Sequence, residues 1–176
     1  MNKIIITIAL VLAPMLSQSQ NFEKYENMKE VDAMVMTSKM FKMLAKVDLS
    51  ENDPEAKAYM KLIENLDRIQ IYKSSNAGVR SQMAADVKTY LQKGSLEELM
   101  RVNEEGRNIK FYSVPGKNDN YVKELFMFLE GGESGEKPLS VILSITGEID
   151  LSQLSKLTAD LKVPGAEELK KINKKS

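Results

Sequence analysis

The stretch from Leu139 to Leu157, LSVILSITGEIDLSQLSKL, constrains the fold of this chain more than any other. Apolar and polar residues alternate over its first half, apart from Ile142, and this period of two predicts a strand with one buried face. Gly147 is predicted to end the strand. Asp150 is then placed to cap a helix, with Gln153 completing a capping box. Leucines at helical spacing predict that this helix packs on the sheet; they are at positions 151, 154, 157 and 161.

The first residues resemble a secretory leader. Lys3 precedes an apolar run from Ile4 to Leu16, which is too short to span a bilayer as a helix. Ser17 and Ser19 suit the small-residue positions of a cleavage site. We therefore predict that residues 1–19 are a signal peptide.

Residues 20–176 are predicted to form a single domain, because no Pro, Gly or Ser-rich linker divides them. No segment of this part is apolar and long enough for a membrane helix. The chain carries 25 basic and 25 acidic residues, and this balance predicts no nucleic acid partner. We expect an exported protein, periplasmic or secreted, that is not lipid-anchored because it has no cysteine to accept a lipid.

Cysteine and histidine are both absent from the sequence. Without disulfides, the stability of an exported domain must come from its apolar core. Without these two residue types the chain also lacks the usual zinc ligands, a thiol nucleophile and an imidazole base. We therefore predict no catalytic residue, no metal site and no cofactor.

The remaining patterns predict an α+β domain, a mainly antiparallel sheet with helices packed on one face in two layers. Residues 95–103 are ambiguous between strand and helix, and we favour strand because alternating apolar residues lead into a Glu-Gly turn. Tyr121–Leu129 is apolar on both sides and is predicted to lie centrally in the sheet. The other predicted strands are Val31–Thr37, Arg68–Tyr72 and Asn108–Val114, and helices are predicted to begin at Ser38, at Asp53–Pro54 and at Ser75 or Asn76.

Several segments together resemble one family of Gram-negative envelope proteins, domain-of-unknown-function family 4252. They are the leader, FEKYENMKEV, MVMTSKMFKMLAKV, SLEELMRVNEEGRNIKFYSV and SVILSITGEIDLSQLSKL. The resemblance covers nearly all of the chain after the leader, and it implies an exported single-domain protein. It carries no catalytic motif to any residue of this sequence.

Four methionines near the start of the domain allow two interpretations. Met34 and Met36 share a predicted strand face, and Met40 and Met43 lie about one helical turn apart. Thioether sulfurs at such spacings can hold copper(I). Methionine is also an adaptable filler of apolar cores, and we favour that interpretation.

Acidic residues form three further candidate groups. Nothing in the spacing places two of the glutamates 97, 98, 104 and 105 across a cleft, as a carboxylate-based hydrolase would require. The acids at positions 48, 51, 53 and 55 lack the glycine of a calcium loop, and helix capping explains Asp53. Glu148 and Asp150 stand at a predicted strand-to-helix corner, a common place for a functional acid, and they are our surface candidates.

Ser134 and Lys137 match the Ser-x-x-Lys spacing of serine acyltransferases. They lie in a Gly-rich turn rather than at the start of a helix, so we attribute the match to chance.

The sequence favours a non-catalytic envelope protein that binds another envelope protein. The absence of His and Cys and the prospect of an exposed sheet edge or face support this hypothesis. One alternative is a carrier that holds an apolar ligand between the helices and the sheet, and it requires a wide apolar pocket. A carboxylate-based hydrolase is a third possibility, and it requires two facing acids with a perturbed pKa.

Overall fold

A computed structural model describes residues 22–44, 60–104, 106–132, 135 and 137–151. In these residues the chain forms one six-stranded sheet, in which every neighbouring pair is antiparallel. The spatial order of the strands is β1-β2-β6-β5-β4-β3. The strands are β1 (Asp32–Thr37), β2 (Leu66–Ser74), β3 (Glu97–Glu104), β4 (Arg107–Pro115), β5 (Tyr121–Gly131) and β6 (Leu139–Asp150).

The helices are a 3-10 helix (Glu23–Asn27), α1 (Ser38–Leu44) and α2 (Ala77–Lys93), and residues 60–64 are also helical. The Asn76 side chain caps α2 by accepting hydrogen bonds from the backbone N–H groups of Gly78 and Val79, at 3.0 and 3.1 Å. The helix ends where the Gly94 N–H donates to the Tyr90 carbonyl. None of the helices described here is long and apolar enough to cross a membrane.

The α+β class and the antiparallel sheet are confirmed, and residues 97–104 form a strand as predicted. Tyr121–Leu129 is central as predicted, because β5 lies between β4 and β6. The predicted helix after Asp150 lies outside the described residues. So does the predicted start of the helix at Asp53–Pro54, of which residues 60–64 are described.

The prediction that the strand ends at Gly147 is wrong, because β6 continues to Asp150. Val122 of β5 pairs with Ile149 and Glu124 pairs with Thr146, so β6 holds one extra residue between these two pairs. This is a β-bulge, a feature that a glycine within a strand often marks. The N–H of Glu148 donates to the carbonyl of Asn65 at 2.9 Å, so the bulge also contacts the chain before β2.

The sheet is covered on both faces. On one, which we call the aliphatic face, strand residues such as Ile69, Leu143 and Met127 pack with Phe41 of α1 and with the helical pair Leu62 and Ile63. The other, the aromatic face, packs strand residues against the 3-10 segment and α2; its buried members are Phe22, Tyr25, Val31, Tyr72, Met83, Val87, Tyr90, Tyr112, Phe126, Phe128 and Ile142. Helices therefore lie on both faces rather than on one, because β5 and β6 bury apolar side chains on both sides.

Candidate functional site

The two predicted surface acids, Glu148 and Asp150, lie close together at the end of β6. The exposed Glu148 carboxylate forms an ion pair with Lys117, whose Nζ also lies 3.9 Å from the centroid of the Tyr121 ring. The hydrogen bond to Glu148 is the main cause that raises the pKa of Lys117, and the charge of Asp150 adds to it. Asp150 is half-buried and pairs with Tyr121 across the β5–β6 ladder. A surface ion pair therefore accounts for Glu148.

The other predicted acids do not face each other across a cleft in the described structure. Glu97, Glu98 and Glu104 are exposed along the edge strand β3. Arg101 donates to both carboxylate oxygens of Glu98, at 2.7 and 3.1 Å, and this hydrogen bonding lowers the pKa of Glu98. Glu105, Ser134 and the acids at positions 48–55 lie outside the described residues.

Two of the four methionines lie in β1 and two in α1, which follows β1 directly. Met36 packs against the aliphatic face, so the core interpretation is correct for this residue. It is wrong for Met34, Met40 and Met43, whose exposed fractions are 38, 45 and 62 %. The reason is that β1 is the outermost strand and α1 is short, so their outer sides face away from the core.

We call the free side of β1, together with Met34, Met40 and Met43, the edge surface. In the described part of the chain β1 pairs with β2 alone, and its other side offers backbone N–H and C=O groups for a further strand. Its sequence, DAMVMT, has a single charge at its first residue. The opposite edge strand, β3, reads EELMRVNE and carries three glutamates and one arginine. Charged side chains on an edge strand discourage the addition of another strand.

Glu124 is a half-buried acid that none of the sequence patterns above indicates. Its carboxylate accepts hydrogen bonds from the hydroxyls of Tyr90, at 2.7 and 2.8 Å, and of Ser144, at 3.0 Å. Burial raises the pKa of Glu124, although both hydrogen bonds act in the opposite direction. The available signal was an acidic residue directly before the apolar run LFMFL of the strand YVKELFMFLEG. These hydrogen bonds join α2 to the sheet. None of them involves a second acid, which a carboxylate-based hydrolase would need.

The FEKYEN segment is held to the sheet by a second polar network. Arg68 of β2 forms ion pairs with Glu26, at 2.8 Å, and with Glu23, at 3.2 Å. The hydroxyl of Tyr72 donates to the same Glu26 carboxylate at 3.0 Å. The hydroxyl of Tyr25 donates to Asp86 of α2, and burial is the main cause that raises the pKa of both tyrosines. This part of the resembling sequence therefore has a structural role.

A cleft of about 690 Å³ opens at the end of the sheet where β6 begins. Its lining includes the apolar Leu129 and Leu139, but charged side chains surround them, among them Lys73, Arg107 and Lys137. This lining does not favour the wide apolar pocket that a carrier of apolar ligands requires. The cleft lies at the opposite end of β6 from Glu148 and Asp150.

Comparison with known proteins gives one family. The family model described as "Domain of unknown function (DUF4252)" matches residues 25–157, which is most of the chain and includes all six strands. No curated protein and no solved structure matches the chain significantly. On the extent of the family match, the chain belongs to the DUF4252 family.

Proposed function

We propose that this protein is an exported, non-catalytic component of the cell envelope that binds another envelope protein through its edge surface. The observation that carries the proposal is the nearly uncharged free edge of β1 beside three exposed methionines. The leader-like start of the chain supports export, and the absence of His and Cys supports a role without catalysis.

The backbone of β1 specifies what kind of partner would fit. A free strand edge presents hydrogen-bond donors and acceptors at the spacing of a strand, so an extended segment of another protein satisfies them best. The β3 edge carries Glu97, Glu98, Arg101 and Glu104, and these charges oppose the same mode of binding there. The contrast between the two edges favours β1 as the place where a strand is added.

The exposed methionines indicate the side chains that such a strand would carry. Met34 shares the β1 face of Met36, which packs on the aliphatic face, where α1 also packs through Phe41. Met40 and Met43 belong to α1, so all three exposed thioethers lie in two consecutive elements that pack on the aliphatic face. Methionine side chains adapt to differently shaped apolar surfaces. The partner segment is therefore an extended strand with apolar residues on the face that meets α1.

The experiment compares two lysine substitutions on the two edge strands. Met34 of β1 and Leu99 of β3 have nearly equal exposed fractions, 38 and 39 %, so Leu99→Lys is a matched control for Met34→Lys. The full-length chain is expressed with its own leader in its native envelope, cross-linked in cells and purified. We expect wild type and Leu99→Lys to retain the same protein at a fixed ratio and Met34→Lys to lose it, because a lysine on the edge opposes strand pairing.

Amide hydrogen exchange on the purified complex then tests the mode of binding. We expect the amides of β1 to exchange more slowly in the complex than in the free protein, with β3 unchanged. Retention of the partner by Met34→Lys, or protection at β3 alone, contradicts the proposal. A dimer of this chain that Met34→Lys disrupts would identify a second copy as the occupant of the edge surface.

A further inference from the structure

The cleft at the start of β6 collects basic side chains from four separate segments of the chain. Lys29 comes from the turn before β1, Lys73 from the end of β2, Arg107 from the start of β4 and Lys137 from the segment before β6. Among the described residues of the lining, the acidic ones are Glu30 and Asp32. The described residues of the lining therefore carry more positive than negative charge, although the whole chain is balanced at 25 basic and 25 acidic residues.

The backbone that carries these cations is well tied to the sheet. The Ser74 hydroxyl donates to the carbonyl of Glu30, which fixes the turn holding Lys29 beside the end of β2. Gly131 of β5 pairs with Arg107 on one side and with Leu139 on the other, so the start of β4 and the start of β6 flank the same residue. The positions of the four basic residues thus follow from strand pairing and one buried hydroxyl.

Three of these cations have no carboxylate within ion-pair distance among the described residues, in contrast to four basic residues elsewhere in the chain. Lys24, Arg68, Arg101 and Lys117 each form an ion pair with a carboxylate. Lys29, Lys73 and Lys137 form none with any other residue that the structure describes. Asp32 pairs with Lys73 in the β1–β2 ladder, but the two side chains are not within ion-pair distance.

From this convergence we infer that the cleft binds a ligand bearing phosphate groups. A multivalent anion can contact several ammonium groups at once, and the planar guanidinium of Arg107 matches the oxygens of a phosphate. The cavity volume of about 690 Å³ lies within the range of small-molecule sites. A soluble phosphate ester and a lipid headgroup share this chemistry. The inference is independent of the edge surface, because the experiments use different residues.

The test uses inorganic pyrophosphate as the probe and isothermal titration calorimetry on protein expressed from the full-length chain. We expect saturable binding that weakens as salt is raised, because exposed charges are screened. The double substitution Lys73→Gln with Lys137→Gln should weaken binding about tenfold. The matched control is Lys88→Gln with Lys93→Gln, which removes the same charge from exposed positions of α2. Thermal unfolding of each variant establishes that it is folded.

Binding that is not saturable, or that both double variants weaken equally, overturns the inference, since a general charge effect would then explain it. Retained binding in the control with loss in the cleft variant supports it. Vesicles of phosphatidylcholine with phosphatidylglycerol distinguish the two sources. Vesicle binding that requires Lys73 and Lys137 and that pyrophosphate displaces identifies a lipid headgroup, and pyrophosphate binding without vesicle binding identifies a soluble ligand.

Discussion

The hydroxyl of Tyr90 on α2 lies 2.7 and 2.8 Å from the two carboxylate oxygens of Glu124 on β5. Ser144 of β6 donates to the same carboxylate at 3.0 Å. Three elements therefore meet at one acidic group beneath the longest described helix. Burial disfavours the charge of Glu124, and the two hydroxyl donors oppose that cost. These hydrogen bonds therefore link α2 to β5 and β6 through one carboxyl group.

Replacement of Tyr90 by phenylalanine should destabilise the protein by about 1–3 kcal/mol, because the half-buried carboxylate of Glu124 then loses one of its two donors. The ring and its packing against Phe22 and Phe126 are retained. Urea unfolding at neutral pH measures the change. Tyr121→Phe is the control, since the Tyr121 hydroxyl makes no hydrogen bond to a described residue and the ring keeps its contact with Lys117. Equal losses in the two variants would contradict a specific role of the Tyr90 hydroxyl.

The raised pKa of Glu124 predicts a pH dependence of defined sign. The folded protein binds this proton more tightly than the unfolded chain, whose glutamate has an ordinary pKa of 4.5. The contribution of Glu124 to the free energy of unfolding is therefore largest below pH 4.5 and is lost as the pH rises through the raised pKa.

The substitution Glu124→Gln isolates this effect, because glutamine keeps the size and an acceptor oxygen but does not titrate. We expect the variant to gain stability relative to wild type as the pH rises from below 4.5 to neutral. Taking the difference between the two proteins at each pH removes the contribution of other acids, such as Glu98. A difference that does not change with pH, or that falls, would exclude a raised pKa at this position.

Removal of Glu26 should loosen the FEKYEN segment. This carboxylate accepts from both Arg68 and Tyr72, so Glu26→Ala should cost about 1–3 kcal/mol and should speed amide exchange across residues 22–28. Glu23→Ala provides the comparison, because Glu23 makes one longer contact with the same Arg68 and is more exposed. We expect a smaller loss there, and the reverse order would be inconsistent with the observed network.

The bulge in β6 requires glycine at position 147. Gly147 has a φ of +136°, and an added Cβ would overlap the carbonyl oxygen of Asn65. Gly147→Ala should therefore cost about 3 kcal/mol or more, measured by chemical unfolding. Gly135 has a φ of +94°, and no atom of another described residue lies within 4 Å of an added Cβ, so Gly135→Ala should cost about 1 kcal/mol from the backbone conformation alone. If the two losses are equal, the contact with Asn65 is not important.

Local sequence patterns were enough to predict strands that have one apolar and one polar side, and strands that are apolar on both sides. Alternation identified the first half of β6 and favoured a strand at β3, and the apolar run identified β5 as central. Ile142, which broke the alternation in β6, is buried on the aromatic face, so the exception itself was a sign of cover on the second side. The Asn76 cap and the Gly94 stop set the ends of α2, because the groups that satisfy helix ends are close in sequence.

The site could be predicted less well, since each part of it depends on residues far apart in the chain. Exposure of Met34 follows from the position of β1 at the edge, which no local pattern reveals. The partners of Glu124 are 34 and 20 residues away, and Lys117 is 31 residues from Glu148.

By itself the sequence determined the class of fold, the identity of most strands and the absence of chemistry based on His or Cys. These follow from composition and from short periods, which reflect the local geometry of strands and helices. Tertiary structure alone decided which strand became an edge, which acid packed between the sheet and α2, and which lysines met in one cleft. Strand order and the packing of α2 bring distant residues together, and burial then sets their exposure, their hydrogen bonds and their pKa.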